Sequence, residues 1–352
     1  MGVERAELTA EKVPELAELF SGLKKLPLAE SDVEIEIEGV PVAVINALRR
    51  TVVDEMPGRA LQVPPAGFDT EKTTEVFMIP QFVNARIANI PLRAQIPKEV
   101  VAALRLRLDV SNPGTEVLSV YAGDLRVVEG KMPEPLFNPT FRIATLQPGK
   151  RIYIDGIRIA SGYGRDDGVF IVARNAAFRH VDLPQRPREE THLRGGAAVD
   201  ESGYAVSSLV ADPRRHVLMA TIPATGPDRA EVRAVFADAC DNVVGRLRLV
   251  ATAAERRGDS RGAQYTVVPL ESGLTEGILR VPGETYTVGE VLRRAVFERT
   301  PDVANVSYVV ADGALVFTLR HASEDVTKIL VDAATSSIAV FDAIRNGIMA
   351  AK

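Results

Sequence analysis

Three glycines lie at a spacing that could bind a nucleotide cofactor. Gly162, Gly164 and Gly168 follow the strand-like run RIYIDGIRI, as the glycines of a dinucleotide-binding loop follow a strand. Such a loop also needs a helix N-terminus directly after the glycines, because the helix receives the pyrophosphate. The run VFIVA that follows predicts another strand. We therefore favour a turn, and a nucleotide-cofactor-binding enzyme that uses the Gly162–Gly168 loop remains the alternative function.

The histidines and the single cysteine predict neither a metal centre nor another cofactor. No histidine has a second histidine or a cysteine three to five residues away, the spacing of common zinc motifs; the four are His180, His192, His216 and His321. Cys240 cannot hold zinc or an iron–sulfur cluster by itself. The sequence also lacks a Gly-x-Ser-x-Gly elbow and a phosphate-binding loop.

Pairs of arginines recur in a repeated stretch. VINALRRTVVDEMP (Val44–Pro57) returns near the other end of the chain as VGEVLRRAVFERTP (Val288–Pro301). At helical spacing, each copy places a narrow apolar stripe on one face. A single copy would be explained by packing on its own sheet, whereas two matching copies favour pairing about a pseudo-two-fold axis. The residues that we predict at this intramolecular dimer interface are Val44, Leu48, Val52, Val288, Leu292 and Val296.

Polar residues beside the two stripes are candidate contacts to a second protein. Guanidinium groups form bidentate pairs with carboxylates, so we expect arginines off the stripe to reach acidic groups of a partner or of the other half. The candidate contact residues are Asn46, Arg49, Arg50, Glu55, Arg293 and Arg294.

Each end of the chain predicts strands followed by a repeat helix and a long amphipathic helix. SDVEIEIEGV alternates apolar and acidic residues, which is typical of a half-buried strand. PDRAEVRAVFADACDNVVGRLRLVATAAE predicts a long helix, and a second begins near Asp325. SYVVADGALVFTLR predicts a hairpin with Asp312 and Gly313 as its turn.

The middle of the chain predicts a β-rich region. ALRLRLDV, EVLSVYAG and KRIYIDGIRIA are separated by turn signals and are typical of strands, while FVNARIANIPL predicts a short helix ended by Pro91. The polar run at 184–203 predicts an exposed loop. Leu16, Leu19 and Leu23 predict an amphipathic helix near the N-terminus.

Length and charge limit the classes of function. The 352 residues predict two or three domains, and no apolar run is long enough to cross a bilayer. The first residues lack an export signal, so we expect an intracellular protein. The net charge of -5 disfavours direct binding to nucleic acid, and with it a self-contained DNA-binding scaffold.

The repeated stretch also carries a family resemblance. VINALRRTVVDEMPGRALQV resembles the signature of the RNA polymerase assembly subunits, which include the bacterial alpha N-terminal domain, the larger member of the archaeal D/L pair and the third-largest subunit of eukaryotic RNA polymerase II. FVNARIANIPL is similar to a segment downstream of that signature. ETYTVGEVLRRAVFERTPDVANVSYVV resembles the smaller member of the archaeal D/L pair and its eukaryotic equivalent, in which a Thr-hydrophobic-Gly run opens into Leu-Arg. The resemblance extends from about Ser31 to the C-terminus and implies that both partners are fused in this chain.

The resemblance implies an α+β fold in which two alpha-N-terminal-like dimerisation domains pair within one chain. The implied segments are an N-terminal helical extension (1–30), a first dimerisation domain (31–65 plus 204–255), an inserted β-rich domain (66–203) and a second dimerisation domain (262–352).

The implied function is that of a non-catalytic assembly platform of a multisubunit DNA-directed RNA polymerase. The implied partners are the largest and second-largest subunits and small zinc-binding subunits, without sequence-specific nucleic-acid binding and without a membrane. Fused subunits resemble the arrangement in nucleocytoplasmic large DNA viruses, which implies the host cytoplasm, at the viral factory, and the virion rather than the nucleus.

The sequence departs from the family pattern in two places. Some members carry a cysteine cluster for zinc or iron–sulfur in the inserted domain, and this chain has no cysteine there, so no metal is expected. Many members also carry Gly-x-Gly followed by His-Ala-Lys, and the corresponding run here is GYGRDDGVF, with Asp167 near the histidine position.

Overall fold

The protein is described by a computed structural model over residues 29–74, 79–132, 136–180, 215–224, 230–256, 262–322 and 325–350. Helices and strands are mixed along the chain, which confirms the α+β class. The chain forms two compact units. The first contains Ala60–Ala160, and the second contains Ser31–Arg59, Ser161–Ile222 and Asp228–Lys352. The predicted N-terminal helix and the predicted loop at 184–203 lie outside the described residues, and the four predicted domain boundaries stay a prediction.

The second unit begins with the strand and the helix predicted around the first repeat copy. The elements are β1 (Ala29–Glu38), α1 (Val42–Arg50), a π-helical segment (Thr51–Glu55), β8 (Arg174–His180), β9 (Arg215–Ala224) and α4 (Ala230–Arg256). The strands form a three-stranded sheet in the order β1-β9-β8. In β1, Ile37 is buried while Glu36 and Glu38 are exposed, as the alternation predicts.

The same unit repeats the plan in its C-terminal half. The elements are β10 (Gln264–Pro269), β11 (Thr275–Pro282), α5 (Tyr286–Arg299), β12 (Asn305–Ala311), β13 (Ala314–His321) and α6 (Val326–Ala350). The strands form an antiparallel sheet in the order β10-β11-β13-β12. The predicted hairpin turn is confirmed, because Asp312 and Gly313 both have positive φ, at 51° and 68°, as a two-residue type I′ turn requires.

The two long helices bury their predicted apolar faces. α4 contacts α6, and α1 contacts α5. The stripe of α4 is fully buried; its residues are Val232, Val235, Ala239, Val243, Leu247 and Val250. This burial agrees with the helical period read from the sequence.

The first unit is rich in strands, as the middle of the sequence predicts. The elements that lie in it wholly or in part are β2 (Pro57–Gln62), α2 (Pro80–Ala88), α3 (Lys98–Ala103), β3 (Arg105–Ser111), β4 (Leu118–Tyr121), β5 (Leu125–Glu129), β6 (Arg142–Leu146) and β7 (Arg151–Tyr163). They form one sheet in the order β2-β7-β3-β5 and a two-stranded sheet of β4 and β6. Alternate residues such as Leu106, Leu108, Ile152 and Ile154 fill the core. The short helix expected before Pro91 is confirmed as α2.

Two local predictions are corrected. The first repeat copy does not stay α-helical to its end, because α1 passes into a π-helical turn at Thr51. The run VFIVA is not a strand, because Asp167 accepts a hydrogen bond from the Val169 amide at 3.1 Å and begins a short 3-10 helix (Gly168–Phe170). Such local side-chain bonds compete with strand pairing, and the strand β8 starts only at Arg174.

Candidate functional site

The two repeat helices meet inside the second unit. The six predicted interface residues are all at most 5% exposed: Val44, Leu48, Val52, Val288, Leu292 and Val296. Burying a side chain of this kind contributes about 1.5–3 kcal/mol relative to leaving it exposed. Their role as a dimer interface stays a prediction, but the burial makes the junction of α1 and α5 the candidate functional site.

A buried carboxylate lies at this junction. Glu55, at the end of the π-helical segment, is 3% exposed. Its Oε1 atom accepts hydrogen bonds from the hydroxyls of Thr285, at 2.7 Å, and Thr287, at 2.6 Å, which belong to the other half. Its Oε2 atom accepts a hydrogen bond from Nη1 of Arg246 on α4 at 2.7 Å. One carboxylate therefore joins the first repeat copy, a long helix and the start of α5.

The start of α5 suits an anion. Thr285 is the N-cap residue, and its hydroxyl accepts a hydrogen bond from the Thr287 amide. Helix N-termini carry a partial positive charge, so the nearby carboxylate of Glu55 is stabilised by the helix as well as by the two hydroxyls. The Thr-hydrophobic-Gly run of the sequence thus has a local structural role at this site.

Arg246 bridges two acidic groups. Besides Glu55, its guanidinium binds Glu284 in a bidentate manner, with Nε to Oε1 at 2.8 Å and Nη2 to Oε2 at 2.6 Å. Glu284 precedes α5 and is 8% exposed. Arg50 adds a second cation, since its Nε donates to Thr287 at 2.8 Å and its Nη2 lies 3.2 Å from Glu55. Below, the term junction network refers to six residues: Arg50, Glu55, Arg246, Glu284, Thr285 and Thr287.

The junction network keeps Glu55 ionised. Burial on its own would raise the pKa of Glu55, but the charge of Arg246 and the hydrogen bonds from Thr287, Arg246 and Thr285 hold that pKa below its ordinary value. The neighbouring Asp54 behaves in the opposite way, because burial and the charge of Glu55 raise its pKa. Glu55 therefore acts as a charged structural anion at neutral pH.

The other candidate contact residues already have partners in this chain. Arg49 donates to Asn46 at 3.0 Å. Arg293 binds Glu290 through two hydrogen bonds, of 2.9 and 2.7 Å, and Arg294 binds Glu298 at 3.0 Å. Arg50 contacts Thr287 of the other half, and the contact of these arginines with a second protein stays a prediction.

The glycine-rich loop packs against the first repeat copy. A side chain at Gly164 would lie 3.0 Å from the Asp54 Cα and the Val53 carbonyl oxygen, and one at Gly162 would meet the Phe170 ring at 2.5 Å. The Arg165 amide donates to the Asp54 carbonyl, one of the last carbonyls of the helical segment. The glycines thus permit close packing, and no α-helix follows them within 165–180. No observation favours a cofactor at this loop.

The described residues also bear on metals and membranes. Among them, no group of three His, Cys, Asp or Glu side chains is arranged to hold a metal ion. No helix in the described ranges has both the length and the apolar character needed to span a bilayer.

Sequence reasoning misses four members of the junction network: Arg246, Glu284, Thr285 and Thr287. Arg246 lies directly before Leu247 of the apolar stripe. A charged residue next to an apolar stripe is the sequence feature that could have indicated a buried ion pair. Its partners are far away in sequence, so only the tertiary fold identifies them.

Comparisons with known proteins agree with the resemblance. No family model matches the chain. The chain is 32% identical over 337 residues to the "DNA-directed RNA polymerase RPB3-11 homolog" of African swine fever virus (isolate Pig/Kenya/KEN-50/1950), covering 94% of this chain and 91% of that protein. The homologue from the isolate Tick/Malawi/Lil 20-1/1983 matches to the same extent. The "DNA-directed RNA polymerase subunit Rpo3" of Thermococcus kodakarensis is 29% identical over 197 residues, or 52% of this chain and 70% of that protein.

Proposed function

This chain belongs to the family of RPB3-11 homologues of DNA-directed RNA polymerase, and from that premise we propose that it is the non-catalytic assembly platform of a multisubunit polymerase. Its two halves pair within one chain and form a seat for the largest and second-largest subunits. Small zinc-binding subunits join the same assembly. The chain itself requires no cofactor for this role.

The observation that carries the proposal is the junction network. Glu55 of the first repeat copy is bonded to Thr285 and Thr287 at the start of the second copy. In the register of the repeat, the first copy has Pro41 and Ala43 where the second has these threonines. A pair of two first copies would therefore leave Glu55 without hydroxyl partners, and an unsatisfied buried charge is costly. The network favours the pairing of unlike halves.

The exposed arginines support docking of larger partners. Arg293 and Arg294 pair with acidic residues of their own helix, and their side chains are 39% and 36% exposed. Ion pairs at such exposure contribute about 0–1 kcal/mol, so a carboxylate of a partner can replace the internal one at little cost. Arg49 is hydrogen-bonded to the neutral amide of Asn46 and is half-buried, so it too can turn to a partner carboxylate. We propose these residues, rather than Arg50, as contacts to the large subunits.

The proposal extends to the setting of the complex. We propose that it works in the host cytoplasm, at the viral factory, and in the virion. Nucleic acid is contacted by other subunits, since this chain has a net charge of -5.

Affinity purification of the tagged chain from cells that express its native genome tests the platform. We expect stoichiometric recovery of two very large subunits and of small zinc-binding proteins, identified by mass. A variant with Arg293→Ala and Arg294→Ala should fold normally but recover less of the large subunits, whereas Arg248→Ala on α4, an exposed site, should recover them fully. Recovery of a monomeric chain without polymerase subunits would contradict the proposal.

A further inference from the structure

Because the stretch is repeated, each residue of the junction network that lies in one copy has an equivalent residue in the other copy. The equivalent residues define a second, related position at the junction, and its side chains differ in chemistry. One position is occupied by the junction network around Glu55. In the register of the repeat, Arg299 takes the place of Glu55 in the second copy, and Ala43 takes the place of Thr287 in the first. A carboxylate is therefore replaced by a cation, and a hydroxyl by a methyl group, at the related position.

A half-open groove lies at that related position. Its volume is about 120 Å³, several times the space that one water molecule needs. Residues from α1, α5 and α6 line it, among them Ala43, Arg294, Ala295, Arg299 and Ser337. The related position thus has a cavity where the first position has packed side chains.

The lining of the groove carries a net positive charge. Arg294 and Arg299 contribute two guanidinium groups, and Glu298 contributes one carboxylate. Arg294 is bonded to Glu298 at 3.0 Å, and Arg299 is exposed at the rim. Val44 and Val291 add apolar surface that suits the methylene groups of a side chain. The volume of the groove, its net positive charge and its apolar lining are together suited to one acidic side chain.

We propose that this groove binds an Asp or Glu side chain of a protein partner. The incoming carboxylate pairs with Arg299, much as Glu55 pairs with Arg246 in the junction network. The inference rests on the proposed function in one respect, because the partner is a subunit of the complex that assembles on this chain. It also explains how two equivalent positions of the repeat can differ, one holding the internal carboxylate of Glu55 and the other binding a carboxylate of a partner.

Direct coupling of the carboxylate tests the proposal. The full chain with Arg299→Lys is expressed with its native genome, the complex is purified, and a carbodiimide is added to join amines to carboxylates in contact. We expect mass spectrometry to find the substituted side chain at position 299 joined to an Asp or Glu of another polypeptide. The matched control is Arg248→Lys on α4, which should not join to that residue.

The outcomes separate this inference from the platform proposal. Recovery of the large subunits without coupling at position 299, or coupling only to acidic residues of this chain, would overturn the groove as a partner site and leave the platform intact. Coupling to a protein that is not a polymerase subunit, with no recovery of the large subunits, would support the groove and contradict the platform. Arg299→Glu should lower capture of the coupled partner at least about tenfold. The melting temperature should fall only slightly, because residue 299 is exposed and the substitution places a carboxylate in the last turn of α5.

Discussion

Arg246 compensates two buried carboxylates that come from different halves of the repeat. Its guanidinium lies 2.7 Å from Glu55 and 2.6 Å from Glu284, and its side chain is 15% exposed. Two acidic groups at such depth repel each other and lose hydration, so each depends on the cation between them. The contribution of Arg246 is therefore to the stability of the junction.

Replacing Arg246 with Ala should lower the free energy of unfolding by about 3–5 kcal/mol, because it leaves two buried carboxylates without their cation. Urea denaturation measures the loss. Arg248→Ala provides the control, since this exposed residue of the same helix should change the free energy by less than about 0.5 kcal/mol. A cost below about 1 kcal/mol for Arg246→Ala would show that the network contributes little to the fold.

The pKa of Glu55 makes the junction sensitive to acid. Its folded pKa is held below the ordinary value of a glutamate, so its contribution to stability is complete above that ordinary value and is lost as the pH falls through the folded pKa. Glu55→Gln should be destabilising at pH 7, and its difference from the native chain should shrink below about pH 4.3. Asp54 has a raised pKa and acts with the opposite sign, and Glu55→Gln removes the part of that rise that comes from the charge of Glu55. Denaturation curves from neutral to acidic pH measure the difference, and a constant gap would contradict the assignment.

At the scale of elements, the glycine-rich loop and the first repeat copy form one packed segment. The amides of Arg165, Val172 and Ala173 donate to the carbonyls of Asp54, Val53 and Val52, respectively. The carbonyls at the end of a helix otherwise lack partners, so the loop completes the π-helical turn. This close packing accounts for the glycines at positions 162 and 164.

Gly164→Ala should destabilise the protein by about 1–3 kcal/mol, because the added methyl group would press on the backbone of the π-helical segment. Gly245→Ala is the matched comparison, since Gly245 lies exposed within α4 and a methyl group there meets nothing within 4 Å. That change should stabilise the protein by up to about 1 kcal/mol, because alanine favours helix. Thermal melting of both variants checks the opposite signs, and an equal effect of the two would refute the packing argument.

Elements with a clear period can be predicted from the sequence. The stripe of α4 and the Asp312 and Gly313 turn follow from local spacing and backbone preference, so the sequence predicts them without knowledge of the fold. The strand prediction for the VFIVA run is wrong because a side-chain bond to Asp167 outweighs the strand preference of its residues. The junction network escapes sequence reasoning because Glu55 and Thr287 are brought together only by tertiary packing.

At the scale of the whole molecule, the two halves of the repeat contact each other within one chain. The helices α1 and α4 precede the short stretch between Arg256 and Gly262, and α5 and α6 follow it. Across this stretch α1 contacts α5 and α4 contacts α6, and the apolar stripes of α1 and α5 are buried. A covalent link raises the effective concentration of one half near the other to about the millimolar range. The link therefore favours pairing but is not the source of its specificity.

Opening the chain between Arg256 and Gly262 should therefore yield two fragments that still associate when they are produced together. We expect the fragment of residues 262–352 to co-purify with the tagged fragment of residues 1–256, because the apolar stripes and the junction network remain complete. Glu55→Lys in the first fragment should abolish this association, since it places a cation beside Arg246 and Arg50 in a buried site. Asp302→Lys, at an exposed position in the second fragment, should leave it unchanged. Fragments that fold but do not associate would show that the covalent link, and not the junction, holds the halves together, and a polymerase platform of this kind would then depend on its fusion.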